Sequence, residues 1–287
     1  VPQSLGALSL VPELGVLSAG FAGDLGGETL AAIFPKLTAA WRLSPSDRVR
    51  LSAAVPARLP SLVERYGSPA GLAPSAALVP ERAWRVAAAY EKEIALGRGF
   101  ARALALSSTV EAARADDLIV AVPVNAQTLR ATNIGRAELF SGELALGIRF
   151  RHGVELRGAL VALSARNRTP IASQLGKRLP MRAPWRSSIG LAWNSGPWNV
   201  SYEILWRDEV YRDVANRDLL GAVSDHSVRA SFASRSFGKF SLELLNAWNT
   251  IAAPRRFGAF GTVDHAGLAE GFPGPGRRIY LSWAVDF

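Results

Sequence analysis

The side chains that most often carry catalysis are few or scattered in this 287-residue chain. Cysteine is absent, and the histidines His152, His226 and His265 lie too far apart to match the short spacings of metal ligands. Serine, aspartate and glutamate are common, but no nucleophile elbow, carboxylate pair or phosphate-binding loop can be assembled from them. The sequence therefore predicts no enzymatic activity, no metal site and no cofactor.

Positively charged residues are the second group that could carry chemistry, since the formal net charge is +9. Clustered Lys and Arg bind nucleic-acid phosphates, but here they mostly stand singly, often beside an acidic residue. This distribution argues against a nucleic-acid partner. The exceptions lie in two segments between expected strands, where guanidinium groups suit phosphate or carboxylate. They predict an anionic partner, such as a ferric chelate or a lipopolysaccharide phosphate, with these candidate contacts: Arg166, Arg168, Lys177, Arg178, Arg182, Arg255 and Arg256.

The elements that must position these residues have the period of a β-strand, in which alternate side chains face opposite sides of a sheet. Residues 198–207 are the clearest case. One face carries Trp198, Val200, Tyr202, Ile204 and Trp206, and the other carries Asn199, Ser201, Glu203 and Arg207. The pattern recurs along the chain and predicts about 12 strands, the first near residues 8–19. Residues 83–105 also fit a helix, but Gly97 and Gly99 stand where a turn is required.

The connections between these strands alternate in length. Short turns are expected at 43–47, 96–99, 150–153, 194–197 and 236–238. Long linkers are expected at 57–82, 115–131, 166–183, 213–223 and 250–276. Outer-membrane barrels have short periplasmic turns and long extracellular loops. No apolar run is long enough for a spanning helix of about 18 residues or more, so we expect an all-β, antiparallel transmembrane β-barrel.

The last segment resembles part of a known family. Gly274-Pro275-Gly276-Arg277-Arg278 precedes a strand-like run from Ile279 to Phe287. This arrangement resembles the end of TonB-dependent outer-membrane receptors, where a Pro-Gly-Arg turn leads into a final strand with an aromatic last residue. Ser282 stands where the family usually has glycine. The resemblance implies that the barrel assembly machinery reads this strand, with the signal residues Tyr280, Trp283, Val285 and Phe287.

Two internal blocks are similar to other motifs of that family. Arg58-Leu59-Pro60-Ser61 with Tyr66, then Leu78-Val79-Pro80-Glu81, resembles its Arg-x-Pro-Ser loop and the Leu-x-Pro-Glu start of the next strand. Asn133-Ile134-Gly135-Arg136-Ala137 with Gly142-Glu143 resembles its Asn-x-x-x-Ala and Gly-x-Glu strand. The motifs follow the family's order. Since Arg58 and Tyr66 fall in a long connection, both are further candidate ligand contacts.

The resemblance also implies an architecture and a location. The family's barrel has about 22 strands around an amino-terminal plug, and nothing in residues 1–287 resembles the plug or the first barrel strands. We expect residues 1–287 to be the carboxy-terminal portion of the barrel, embedded in the lipid and lipopolysaccharide of the bacterial outer membrane. The remaining barrel, the plug and its contact with TonB would come from polypeptide outside these residues, in the same or a separate chain.

Two functions fit this expectation. The first is a receptor that binds a scarce ligand, of the ferric siderophore, cobalamin, haem or glycan class, and imports it with energy passed through TonB. The second is a passive channel or structural subunit without a plug, completed by another chain. Unpaired strand edges in lipid cost several kcal/mol for each unsatisfied backbone group. Both functions therefore require the first and last strands to be paired.

Overall fold

The computed structural model describes residues 8–23, 26–69, 71–97, 99–125, 128–234, 236–250 and 276–284. Strands make up 70% of it and helices 3%. The helical elements are α1 (Leu62–Tyr66) and one 3-10 turn (Arg151–Gly153). No helix among the described residues is long and apolar enough to cross a membrane.

The strands are β1 (Leu8–Gly23), β2 (Gly26–Arg42), β3 (Asp47–Ala54), β4 (Ala57–Arg58), β5 (Leu72–Ala73), β6 (Glu81–Ala95), β7 (Ala101–Pro123), β8 (Leu129–Phe150), β9 (Val154–Asn167), β10 (Trp185–Ser195), β11 (Trp198–Arg207), β12 (Val210–Tyr211), β13 (Leu219–Leu220), β14 (Val223–Ser234), β15 (Gly238–Leu245) and β16 (Arg278–Ala284).

The long strands form one continuous sheet in chain order, β1-β2-β3-β6-β7-β8-β9-β10-β11-β14-β15-β16. Every ladder between these long strands is antiparallel. This architecture confirms the predicted fold class and the strand reading of residues 83–105. Among the described residues, no strand pairs with the free edge of β1 or of β16, so the sheet is a partial barrel.

One short ladder departs from the antiparallel pattern. β5 pairs in parallel with the start of β8, joining Leu72 to Leu129 and Ala73 to Arg130. This two-residue strand lies in the connection between β3 and β6, which folds back over the end of the sheet. Its direction is therefore set by the path of that connection and not by the barrel.

The five expected short turns join β2 to β3, β6 to β7, β8 to β9, β10 to β11 and β14 to β15. Because antiparallel strands follow one another in order, all five lie at one end of the sheet, which we call the turn rim. The expected long linker at 115–131 is wrong. Pairing of β7 with β8 continues from Ala115 opposite Ala137 to Pro123 opposite Leu129. Asp116 and Asp117 look like loop residues in the sequence, but both strands simply extend beyond the rest of the sheet.

The two faces of the sheet differ as the alternation predicts. Opposite residues in the ladders share a face, so Tyr202 lies beside Leu191 and Val228, while Glu203 lies beside Gly190 and Ser227. The polar face is concave, since one cavity of about 840 Å³ is lined from β3 to β14 mainly by polar-face residues, which include Glu203. We call it the inner face and the apolar side the outer face.

Complete burial is concentrated at the end opposite the turn rim. We call this region the loop cap; it comprises residues 55–69, 71–80, 115–125, 128–136, 165–184 and 208–222. Three clusters of buried apolar side chains hold its segments against one another. Their members are Ala115, Val120, Ile134, Ala137, Ala165 and Leu179; Leu78, Ile119 and Ala131; and Ala183, Val210 and Leu220.

Candidate functional site

Ion pairs between neighbouring strands line the inner face. Arg229 lies between Glu203 and Glu243, with nitrogen–oxygen distances of 3.5 and 2.5 Å. Other pairs are Lys36–Glu13 at 3.1 Å, Arg50–Glu91 at 3.3 Å, Arg149–Glu93 at 2.6 Å and Arg85–Glu111. These side chains are largely exposed, and each such pair stabilises the fold by about 0–1 kcal/mol. Their main effect is to give the inner face a hydrated surface with nearly balanced charge.

A second inner cavity, of about 540 Å³, lies nearer the loop cap. Its charged lining residues are Glu143, Arg186, Arg207 and Asp225. Arg186 and Arg207 stand directly opposite each other in the ladder between β10 and β11. Like charges in opposed positions destabilise a sheet. Among the described residues neither guanidinium has a carboxylate at ion-pair distance, so both are available to an anion.

Two polar atoms in this cavity are buried without a hydrogen-bond partner among the described residues, Arg207 Nη2 and Asp225 Oδ1. Arg207 uses another nitrogen, Nη1, to donate to the Asp208 carbonyl at 3.2 Å. Buried polar groups are usually hydrogen-bonded, and unsatisfied ones cost free energy. The alternation in the sequence places Arg207 on the polar face, but it does not indicate this cavity.

The candidate contact Arg58 is held between two carboxylates. Its Nη1 donates to both Glu64 oxygens, at 3.0 and 2.9 Å, and its Nη2 donates to Glu81 Oε1 at 2.7 Å. The hydrogen bond to Glu81 raises the pKa of Arg58 above its ordinary value. The Ile119 N–H also donates to Glu81, at 2.6 Å, so Glu81 connects both Arg58 and β7 to the start of β6. Tyr66, the last residue of α1, is 48% exposed.

The short helix α1 is positioned by a capping box. The Ser61 N–H donates to the Glu64 carboxylate at 2.8 Å, and the Glu64 N–H donates to Ser61 Oγ at 3.2 Å. Partial burial raises the pKa of Glu64, but hydrogen bonds from Arg58 and Ser61 outweigh it, and the pKa lies below its ordinary value. The Arg-x-Pro-Ser motif therefore builds this corner of the loop cap.

The motif residue Asn133 joins two segments of the loop cap. The Val79 N–H donates to Asn133 Oδ1 at 3.1 Å, and Asn133 Nδ2 donates to the Val79 carbonyl at 3.1 Å and the Asp117 carbonyl at 2.6 Å. Ala137, the last residue of the same motif, is completely buried. Both motif positions thus have structural reasons for their residue types.

The basic candidates of the 166–182 segment do not converge on one pocket. Arg168 Nε donates to Glu138 Oε2 at 2.7 Å, and Arg166 Nη1 donates to the Gly176 carbonyl at 3.1 Å. The Arg178 guanidinium lies 5.8 Å from the centre of the Tyr211 ring. Lys177 and Arg182 are exposed. None of the five lines either inner cavity.

The connection between β11 and β14 contains a buried ion pair that the sequence analysis missed. Arg212 and Asp218 contact each other with side-chain exposures of 2% and 6%. Desolvation raises the pKa of Asp218, and the hydrogen bond from Arg212 only partly offsets this. The Asn216 side chain accepts from the Arg178 N–H at 2.7 Å and donates to its carbonyl at 2.9 Å. This connection is therefore fastened to the neighbouring 166–184 segment.

The strand β16 contains two of the expected assembly-signal residues. Trp283 lies on the outer face, stacked on Phe240 with ring centres 6.0 Å apart, and its Nε1 donates to the Phe237 carbonyl at 2.7 Å. Tyr280 lies opposite Glu243 on the inner face. The other two signal residues, Val285 and Phe287, lie outside the described residues, as do Arg255 and Arg256.

The histidines do not form a metal site in the described part of the chain. His226 Nδ1 lies 2.6 Å from Tyr202 Oη, and His152 is in the turn between β8 and β9. Among the described residues, no group of three or more His, Asp or Glu side chains could hold a metal ion. His265 lies outside them.

Comparison with known families matches residues 18–254 to the family described as TonB dependent receptor-like, beta-barrel. Comparison with curated proteins gives no match. Among solved structures, the fold is similar to the copper transporter OprC, with 16% identity and a TM-score of 0.65, over 96% of this chain and 44% of that chain. It is also similar to the FrpB iron transporter from Neisseria meningitidis (F3-3 variant), with 14% identity and a TM-score of 0.62, over 97% of this chain and 43% of that chain. It is also similar to the siderophore receptor PiuA from Acinetobacter baumannii, with 14% identity and a TM-score of 0.65, over 95% of this chain and 40% of that chain. The chain thus spans about two fifths of the length of these structures.

Proposed function

Because this chain belongs to the TonB-dependent receptor-like β-barrel family over residues 18–254, we propose that it forms part of the wall and loops of an outer-membrane receptor. The receptor binds a scarce ligand from outside the cell and imports it with energy supplied through TonB. The family match confirms the resemblance found in the sequence motifs. The transport activity is proposed from the polar inner face, the loop cap and the similarity in fold to solved transporters.

The 540 Å³ inner cavity carries the proposal for ligand binding. Arg186 and Arg207 face each other there without a carboxylate partner among the described residues. Two guanidinium groups in directly opposed ladder positions suit a carboxylate, catecholate or phosphate group. We propose an anionic ligand, of which a ferric siderophore is one class; haem and cobalamin carry acidic groups too, and a glycan fits only if it is charged.

The basic residues of the loop cap would meet such a ligand first. Lys177 and Arg182 are exposed and have no ion pair among the described residues. Charged surfaces raise the rate at which oppositely charged ligands arrive, and this steering weakens as salt increases. We propose that these residues attract the ligand and that Arg186 and Arg207 bind it. Arg58, Tyr66, Arg255 and Arg256 remain candidate contacts.

The rest of the receptor is proposed from the strand edges and the length. In the described part of the chain β1 and β16 each leave one edge unpaired, and unpaired backbone groups in lipid are costly. We propose that residues 1–287 are the carboxy-terminal portion of a barrel of about 22 strands. Additional strands, a plug and the TonB contact would come from polypeptide outside these residues, after insertion by the barrel assembly machinery.

A passive channel, completed by another chain and lacking a plug, is the second candidate function. The hydrated inner face with its ion pairs would suit it equally well. Uptake by cells separates the two functions. Ligand accumulation that stops when TonB is deleted supports the receptor, and accumulation that continues without TonB supports the channel.

A binding experiment tests the inner cavity directly. We expect the complete receptor to bind ferric citrate, as an anionic probe, and the Arg186→Gln/Arg207→Gln variant to lose at least about tenfold in affinity, since each hydrogen bond to a charged group contributes about 1.5–3 kcal/mol. Equilibrium dialysis with iron analysis measures this.

The matched control removes two exposed arginines of the loop cap, Arg130→Gln/Arg217→Gln, with the same change in net charge. It should change affinity by less than about twofold once salt is at physiological strength. Equal losses of affinity in the two double variants would contradict a specific site at Arg186 and Arg207. If haem and cobalamin also bound the two variants with equal losses, the site would be excluded for those ligand classes too.

A further inference from the structure

The outer face carries a cluster of arginines at the boundary between the barrel wall and the loop cap. Register across β6, β7, β8 and β9 places Trp84, Arg114, Glu138 and Arg166 side by side in one row. The next row toward the loop cap contains Arg82, Asp116 and Arg136. Arg168 reaches the same surface, since its guanidinium contacts Glu138. We call this set the outer basic cluster.

The outer basic cluster has an excess of positive charge. It contains five arginines and two carboxylates. Arg136 pairs with Asp116 at 3.5 Å and Arg168 pairs with Glu138 at 2.7 Å. The remaining three, Arg82, Arg114 and Arg166, are exposed and have no carboxylate at ion-pair distance among the described residues. These three side chains can therefore bind an anion without breaking an existing ion pair.

Apolar residues immediately below the cluster locate the edge of the lipid layer. Trp84 shares the row of Arg114 and is 69% exposed, while Phe140, one row nearer the turn rim, is 59% exposed. The row of Phe140 also holds Val86, Ala112 and Ser164 and contains no charged side chain. Rows two residues apart on a strand are separated by about 6.6 Å. The arginines thus lie at the height of lipid head groups when the apolar rows face the acyl chains.

The face of the sheet on which these arginines lie determines which anions can reach them. They point away from both inner cavities, so a ligand that passes through the barrel does not reach them. We propose that Arg82, Arg114 and Arg166 form a binding site for the phosphate groups of an anionic lipid in the outer leaflet. This inference rests on the proposed placement in the outer membrane. It assigns Arg166, considered above as a ligand contact, to the lipid instead.

The test uses the complete receptor in nanodiscs of phosphatidylcholine containing a small share of bis-phosphorylated lipid A. After exchange into detergent, mass spectrometry counts the lipid A that stays bound. We expect Arg82→Gln/Arg114→Gln/Arg166→Gln to weaken retention by about fivefold for each arginine removed, since each basic side chain near a charged lipid surface contributes roughly that factor. Lipid A without phosphates should be retained poorly by every variant.

The control Arg102→Gln/Arg130→Gln/Arg217→Gln removes the same charge elsewhere and should retain lipid A like the unmodified receptor. Equal retention by both triple variants, or equal retention of lipid A without phosphates, overturns the site. Full displacement of the lipid by an equal concentration of inorganic phosphate also overturns it, because the anion would then be a free phosphate.

A chemical measurement on the unmodified receptor covers the case in which the triple variant does not fold. Phenylglyoxal modifies accessible arginines, and we expect lipid A to protect Arg114 and Arg166 several-fold while Arg217 reacts as before. Equal modification with and without lipid A overturns the proposal. Failure of the receptor to insert into nanodiscs would instead refute the membrane placement, and so the proposed function itself.

Discussion

The Lys36–Glu13 ion pair in the barrel wall has side-chain exposures of 44% and 52%, whereas the Arg212–Asp218 pair in the loop cap has exposures of 2% and 6%. The first joins two neighbouring strands through their register. The second lies inside a connection that packs on the Ala183, Val210 and Leu220 cluster. The wall is therefore held by repeated contacts between adjacent strands, while the loop cap has a small core of its own. Changes in the two regions should have effects of different size and kind.

The largest difference in stability loss should appear when the carboxylate of each ion pair is removed. Asp218→Ala leaves a buried arginine without its carboxylate, and we expect a loss of about 3–5 kcal/mol in the stability of the loop cap. Glu13→Ala at the exposed pair should cost about 0–1 kcal/mol. Hydrogen exchange of residues 208–222 measures the first effect, and urea titration of the refolded barrel measures the second. Similar costs for the two variants would contradict the comparison.

The next largest effect should distinguish the two faces of the wall. Leu191 lies on the outer face opposite Tyr202, and its chain neighbour Ala192 lies on the inner face opposite Ser201. We expect Leu191→Arg to destabilise the barrel by about 2–4 kcal/mol near the bilayer midplane. Ala192→Arg should cost far less because its side chain reaches water. Refolding titrations in liposomes measure both, and equal costs would refute the assignment of faces.

The smallest expected effect is a pH response confined to the loop cap. The pKa of Glu64 is lower in the folded protein than in the unfolded chain, because hydrogen bonds from Arg58 and Ser61 outweigh partial burial. Its contribution is therefore complete above the pKa of glutamate in the unfolded chain and is lost as the pH falls through the lower folded value. We expect faster hydrogen exchange in residues 58–66 below that pH.

The barrel wall gives the matched control for this pH response, since exchange in β10 and β11 should not change with Glu64 protonation. The Glu64→Gln variant should exchange at an acid-like rate at neutral pH and lose the dependence. A variant that keeps the full pH response would show that another group carries it.

The predictions from sequence that were correct concern features set by residues close together in the chain. Strand order, turns at one rim and the two faces of β11 depend on near neighbours in the chain, and the alternation of Trp198, Asn199, Val200 and Ser201 reveals them directly. The error at 115–131 arose because Asp116 and Asp117 have a loop-like composition. Partners distant in sequence, such as Ala137 opposite Ala115, keep that segment extended.

The candidate site was less accessible to sequence reasoning. Arg186 and Arg207 are separated by a turn and an entire strand, and only the register of β10 against β11 makes them opposed. Arg166 and Arg182 belong to one basic segment in the sequence, yet Arg166 ends on the outer face beside Glu138. Charge and composition predicted anion binding, and the register then placed the basic residues behind that prediction on different faces of the sheet.

The sequence by itself determined an antiparallel barrel wall with one polar and one apolar face, and its motifs identified the family. These features follow from the two-residue period of a strand and from turn residues, which act over short distances along the chain. Only the tertiary structure decided which arginines lie on the inner face, which lie on the outer face and which are buried. The reason is that those outcomes depend on the register between strands and on the packing of loops that are far apart in the chain.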